Sequence, residues 1–317
     1  MTSEDILKRY FGYETFRGFQ KVVIDTIVSG TDALVLMPTG GGKSLCYQIP
    51  ALMLDGLTVV VSPLIALMKD QVDMLADVGI EARSLNSTQT FEDACDVIRE
   101  IRSGEVKLLY VAPERLVSPR MLALLDEIKV SLFAVDEAHC ISVWGHDFRP
   151  EYQQLDILKN RYPNVPRLAL TATADEQTRN EIVSRLLNNP KVFLDSFDRP
   201  NIRYRMYEKN KGFIQEIIDF ITGEHMHESG IVYCATRNKT QAVASALKAA
   251  GIDALVYHAG LENEQREANQ AAFFERDCVM VATIAFGMGI DKPDVRFIIH
   301  VDMPKSIESF FQETGRA

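Results

Sequence analysis

The stretch LVLMPTGGGKSLCYQIP, residues 34–50, constrains this chain more than any other. A short apolar run over residues 33–37 reads as a buried strand. It breaks at Pro38 and enters a turn of Gly40, Gly41 and Gly42, preceded by Thr39. The turn delivers Lys43 and Ser44 to the start of an apolar helix. Strand, glycine turn and helix N-terminus together make a phosphate site. Glycine lets backbone N–H groups approach an anion, and the helix dipole favours negative charge. Lys43 would reach the β and γ phosphates of ATP, and the Ser44 hydroxyl would ligate Mg²⁺. The general pattern G-x-x-x-x-G-K-[ST] begins with glycine, where this chain has Met37. A glycine turn alone is an ordinary loop; Gly42-Lys43-Ser44 behind a strand makes it a nucleotide site.

A chain of 317 residues is long for one core, so two domains are expected. Apolar residues at 47% and charged residues at 25% are those of an ordinary globular protein. No aliphatic run is long enough to span a bilayer, and the acidic N-terminus lacks a signal peptide's apolar core. The expected location is cytoplasmic, or nucleoid-associated, with no membrane partner. The cysteines, Cys46, Cys95, Cys140, Cys234 and Cys278, form no C-x-x-C pair. They indicate neither a zinc cage nor a disulfide framework, and buried free thiols are expected. His225-Met-His227 has the spacing of half a metal site, but it sits in a polar, loop-like stretch with no further ligand cluster in view, so no metal is expected there. The net charge of −10 argues against a protein that coats nucleic acid. Acidic side chains outnumber basic ones on both sides of residue 200, so any nucleic-acid contact has to be a local groove.

Strand-like runs recur at 33–37, 57–61, 107–111, 131–135 and 167–171, separated by helical patterns such as 64–78, 93–101 and 120–128. Strands alternating with helices imply right-handed crossovers and a mostly parallel, doubly wound sheet. The polar stretch 196–201, with Pro200, suits a linker. The alternation then restarts, with strands at 230–234, 254–257, 278–282 and 296–301 and helices at 239–250 and 262–274. The expected architecture is α/β, with two similar lobes at residues 1–200 and 201–317.

A second constellation, Asp136-Glu137, closes the strand-like run 131–135. In a sheet that already carries a phosphate loop, such a pair has a specific use. Asp136 can hold Mg²⁺ through its water shell, and Glu137 can orient and polarise the attacking water. Alone, the pair fits a cap on the next helix equally well. Lys43 tips the balance towards chemistry.

Taken in order, these motifs resemble the RecQ family of superfamily-2 DNA helicases over nearly the whole chain. Phe16-Arg17 with Gln20 is similar to the family's adenine-recognising motif, and 37–44 to its motif I. Val61-Ser-Pro-Leu-Ile-Ala-Leu-Met-Lys-Asp-Gln71 resembles motif Ia, and Tyr110-Val-Ala-Pro-Glu-Arg-Leu116 motif Ib. Asp136 to His139 resembles motif II and Leu170-Thr-Ala-Thr173 motif III. Val232-Tyr-Cys-Ala-Thr-Arg237 resembles motif IV, Ala282-Thr-Ile-Ala-Phe-Gly-Met-Gly-Ile-Asp-Lys-Pro293 motif V, and Gln312-Glu-Thr-Gly-Arg316 the first half of motif VI. The most specific resemblance is Cys140-Ile-Ser-Val-Trp-Gly-His-Asp-Phe-Arg149, which is similar to the aromatic-rich loop peculiar to RecQ proteins.

That segment makes physical sense by itself. Trp144, the only tryptophan, follows the carboxylates closely and is joined by His146, Phe148 and Arg149. Aromatic faces stack on unpaired bases, and arginine pairs with phosphate. The competing expectation is a tryptophan buried at the sheet's edge.

The resemblance implies two RecA-like lobes, ATP and Mg²⁺ as cofactors, and ATP-dependent 3′-to-5′ movement on single-stranded or partly duplex DNA, in repair and recombination. It implies that Tyr13, Arg17 and Gln20 contact adenine and that Thr39 to Ser44 hold the phosphates. Asp136 with Ser44 would hold the metal, Glu137 the water, and Arg316 would stabilise transition-state charge. The strand track it implies is Ser62, Pro63, Thr236 and Arg237 with Trp144, His146, Phe148 and Arg149. Two departures stand out. The adenine motif usually reads Phe-Arg-Pro-Gly-Gln where this chain has Phe16-Arg-Gly-Phe-Gln20. Motif VI usually continues to a second arginine, and the family's zinc module, winged helix and terminal domain do not follow, so the sequence reads as part of a longer chain. A nucleotide-gated DNA-binding or annealing module and a superfamily-2 RNA helicase are the alternatives; protein partners are left open.

Overall fold

The computed structural model describes every residue except 39, 87, 143–147, 196–200, 287–291, 293 and 317. The chain divides into two compact units, Met1–Phe197 and Asp198–Ala317.

The first unit contains β1 (Ala33–Leu36), β2 (Leu57–Val61), β3 (Ala82–Leu85), β4 (Leu108–Val111), β5 (Val130–Val135), β6 (Arg167–Thr171) and β7 (Lys191–Leu194). They form one sheet in the order β3-β4-β2-β5-β6-β1-β7, with every ladder parallel. In β1, Val35 stands opposite Leu170 of β6 and Phe193 of β7. Every residue of β1, β2, β4 and β6 is buried, because helices cover both faces of a parallel sheet. Successive side chains alternate between two apolar layers. Val59 and Val61 pack with Leu109, Phe133 and Val135, while Val60 joins Val35, Tyr110, Leu132 and Leu170 on the other face.

The two edge strands, β3 and β7, lie outside the sequence expectation. In β3 only Ala82 and Leu85 are buried, with Arg83 and Ser84 between them. In β7, Val192 and Leu194 remain 49% and 45% exposed. An edge strand is covered less, so its sequence need not be continuously apolar. Helix ends follow local chemistry. The pattern at 93–101 extends to a helix Phe91–Ser103 because Thr90 and Asp93 form a reciprocal cap and Gly104 closes the far end with φ +78°.

The second unit contains β8 (Ser229–Tyr233), β9 (Ala254–Tyr257), β10 (Val279–Ala282) and β11 (Val295–His300), in the parallel order β11-β8-β10-β9. Val232, Leu247, Val256 and Val281 centre its core. Gly230 is required here: a Cβ on it would sit 2.1 Å from the Phe297 ring on the neighbouring strand. Four cysteines are buried and Cys95 is only partly so; all five are free thiols. His225 bonds Glu228 at 2.7 Å. Among the described residues no helix is long and apolar enough to cross a membrane.

Candidate functional site

The glycine-rich loop leaves the carboxyl end of β1, where open parallel sheets bind ligands. Met37 N–H donates to Thr171 O at 3.1 Å, so the loop is tied to the end of β6 at its first residue. Gly41 N–H closes a turn onto Pro38 O at 3.0 Å. Gly40 and Gly42 hold φ of +75° and +74°, the left-handed region where a Cβ is strained. Lys43 Nζ reaches back across the loop to Met37 O at 3.1 Å and Pro38 O at 3.4 Å. Ser44 starts the helix Leu45–Met53 without using its hydroxyl as a cap. Thr39 lies outside the described residues.

The three residues assigned to adenine separate into two roles. Tyr13 and Arg17 are exposed, with the guanidinium 5.8 Å from the phenol ring's centre. Gln20 is 2% exposed, and its amide is occupied by the protein itself. Nε2 donates to Gly41 O at 3.1 Å and Gly42 O at 3.2 Å, while Oε1 accepts from Arg17 N–H at 2.9 Å. Gln20 is therefore a strut between the 16–20 turn and the glycine loop, which the sequence expectation of an adenine contact did not include.

β5 delivers Asp136 and Glu137 to the same carboxyl edge, with β6 between it and β1. Asp136 N–H donates to Val61 O at 2.9 Å, continuing the β2–β5 ladder by one residue. Burial, with Glu137 adding repulsion, raises the Asp136 carboxyl well above the usual carboxylate range, while the Lys43 ammonium pulls it down. Glu137 adopts the left-handed region, φ +48°, unusual for a residue with a side chain. Its N–H donates to Asp136 Oδ1 at 3.0 Å.

The turn Ala138–Ile141 carries His139 back onto β6. His139 Nδ1 lies 2.9 Å from Thr171 Oγ1 and 3.3 Å from Glu137 Oε2. The Thr171 hydroxyl donates to Thr173 O at 2.9 Å, so its oxygen is left to accept from His139. His139 Nε2 lies 3.8 Å from Cys140 Sγ. Tyr152 is a participant that the sequence analysis missed. It is fully buried, and its hydroxyl donates to Asp136 O at 2.9 Å. No spacing rule marks it, since the contact depends on a short helix, Pro150–Gln153, folding back against the turn Ala138–Ile141.

The residues expected on a strand track are unevenly placed. Ser62 is 2% exposed and its buried hydroxyl has no hydrogen-bond partner. It follows the last residue of β2, its N–H donating to Val111 O at 3.2 Å. Pro63 O accepts from Arg149 Nη1 at 2.9 Å, which ties two assigned residues to each other. Phe148 is partly buried. Thr236 caps the helix Arg237–Ala249, its Oγ1 accepting from Lys239 N–H at 3.3 Å. Arg237 lies over Gly260, where any Cβ would come within 2.8 Å of its Nη1. Trp144 and His146 lie outside the described residues. In the second unit, Arg316 follows the helix Ile307–Thr314 and stands beside the Tyr233 phenol, which burial pushes up to about 12 against the opposing pull of the Arg316 charge.

The description "DEAD/DEAH box helicase" matches residues 17–182, and "Helicase conserved C-terminal domain" matches residues 209–317. The chain is 54% identical to the ATP-dependent DNA helicase RecQ of Pasteurella multocida, covering 100% of this chain and 50% of that protein. It is 53% identical to the RecQ of Haemophilus influenzae, covering 100% of this chain and 51% of that protein. The chain thus spans about half the length of the curated relatives it matches. The solved structure of Mss116p bound to ssRNA and AMP-PNP superposes with a TM-score of 0.77 at 17% identity, covering 100% of this chain and 70% of that one. That likeness shows the shared two-lobed α/β architecture. The chain belongs to the DEAD/DEAH box helicase family, and within that family its full-length similarity runs to the RecQ proteins.

Proposed function

We propose that this chain is the ATP-driven motor core of a DNA helicase, moving 3′-to-5′ along single-stranded DNA in repair and recombination. The carrying observation is the convergence of Lys43, Asp136 and Glu137 on the carboxyl edge of one parallel sheet. β6 joins them, accepting from Met37 and from His139 at Thr171. Lys43 would exchange its loop carbonyls for the β and γ phosphates of ATP. Glu137 would orient the attacking water, and Arg316 would neutralise charge that develops on the transferred phosphoryl group. The Asp136 carboxyl, buried beside a second carboxylate, suits a hard divalent cation bound through oxygen. Asp136 and Ser44 would hold Mg²⁺, which when bound offsets phosphate charge. Tyr13 and Arg17 are the exposed pair that would stack on and bond the base. The segment around Trp144, Phe148 and Arg149 would grip the strand.

The test is ATP hydrolysis by this chain with single-stranded DNA, with a matched RNA, and with neither. Strong stimulation by DNA alone supports the reading. Equal stimulation by RNA points to an RNA helicase, and nucleotide binding without phosphate release points to a binding module.

A further inference from the structure

The geometry points to Tyr152 as the positioning residue that aims Glu137; this rests on the reading of Asp136 and Glu137 as the hydrolytic pair. The peptide unit between those two residues is held from both ends. Its carbonyl, Asp136 O, accepts from Tyr152 Oη at 2.9 Å, and its N–H, on Glu137, donates to Asp136 Oδ1 at 3.0 Å. With the plane of that peptide fixed, Glu137 has φ +48° and ψ +45°, a conformation disfavoured for any residue with a Cβ. Relaxation to an ordinary backbone angle would rotate the Glu137 carboxylate away from its present direction. Tyr152 opposes that rotation.

Tyr152 is suited to the task because it cannot yield. It is fully buried in the apolar layer that includes Phe133, Val135, Cys140 and Leu155. Its own helix is seated by two further bonds. Tyr152 N–H donates to Arg149 O at 3.0 Å, and Arg149 N–H donates to Cys140 O at 2.9 Å. Arg149 Nη1 in turn reaches Pro63 O at 2.9 Å, beyond the end of β2. The peptide that sets Glu137 is therefore braced against the segment leaving the aromatic stretch and against the β2 terminus. A buried hydroxyl facing one carbonyl in an otherwise apolar layer has no other evident use, since packing alone would be served by phenylalanine.

Tyr152→Phe keeps the ring and deletes only the hydroxyl. The measurement is kcat and KM for ATP with Mg²⁺ and saturating single-stranded DNA, alongside Tm. The expected result is a fall in kcat of roughly tenfold to a hundredfold with KM within about twofold, at temperatures where the variant is fully folded. A second arm combines Tyr152→Phe with Glu137→Gln. If the tyrosine acts through Glu137, the double variant is no slower than Glu137→Gln alone. A lowered Tm with unchanged kcat would make Tyr152 purely structural and overturn the proposal, as would additive losses in the double variant. Absence of turnover in the unsubstituted chain sinks the hydrolytic reading itself, and this inference with it. Turnover in the unsubstituted chain, undiminished in Tyr152→Phe, sinks this inference alone.

Discussion

His139 Nδ1 and Thr171 Oγ1 stand 2.9 Å apart and join the ends of β5 and β6 behind the candidate hydrolytic pair. Both side chains are buried, and the threonine hydroxyl also serves the Thr173 backbone, accepting from its N–H at 3.2 Å. Thr171→Val preserves shape and leaves the His139 N–H and the Thr173 carbonyl without that partner. Leaving buried polar groups unpaired costs about 1–3 kcal/mol, and calorimetry should show that loss as a lower Tm. ATP turnover should fall as well, because His139 lies beside Glu137 and loses the hydroxyl that holds its ring. A variant as stable and as active as the parent would remove this link from the account.

Lys43 Nζ is positioned by two loop carbonyls and makes no contribution to the apolar core. Lys43→Ala should therefore leave the circular dichroism spectrum and Tm nearly unchanged. Turnover should drop by on the order of a hundredfold to a thousandfold, the usual effect of losing a preorganised cation at developing charge. Retained activity in a folded variant would end the proposed function.

Gly42 combines φ +74° with a closed environment, since a Cβ there would meet Gln20 Nε2 at 2.4 Å. Gly42→Ala must displace an amide that holds two loop carbonyls. Expected are a destabilisation of about 1–3 kcal/mol and a nucleotide affinity reduced at least tenfold by equilibrium titration. Gln20→Ala should weaken nucleotide binding in the same direction, through the loop. If Gln20→Ala instead changed only the preference for adenine over guanine, the strut role would be wrong.

Asp302 organises the start of the second unit's capped helix, accepting from Lys209 Nζ at 2.8 Å, Lys239 Nζ at 2.7 Å and Ala235 N–H at 3.0 Å. Although burial opposes it, these donors hold the carboxyl well below its ordinary range. A depressed carboxylate stabilises the fold at pH above its unfolded value of about 4, and the contribution is lost as pH falls through the window below that value. Denaturant unfolding at neutral pH should show Asp302→Asn to be less stable by about 1 kcal/mol. The gap from the parent should close as pH drops below about 4. A difference that persists at low pH would mean the carboxylate's charge is not the cause.

The sequence alone determined the parallel sheets, the glycine loop and the carboxylate pair, because each depends on local order. Short, β-branched apolar runs such as Leu57–Val61, bounded by turn residues, read as strands buried on both faces, and Gly42-Lys43-Ser44 behind β1 has one common use. The edge strands β3 and β7 stayed hidden because partial exposure erases the apolar signal. Only the tertiary structure decided what the polar side chains do. Gln20 reaches across 21 residues to Gly41, Arg149 across 86 to Pro63, and Tyr152 across 16 to Asp136. It likewise turned Ser62 inward and spent the Thr236 hydroxyl on a helix cap. A hydrogen bond is short-ranged and directional, so its partner is fixed by how strands and helices stack rather than by spacing along the chain.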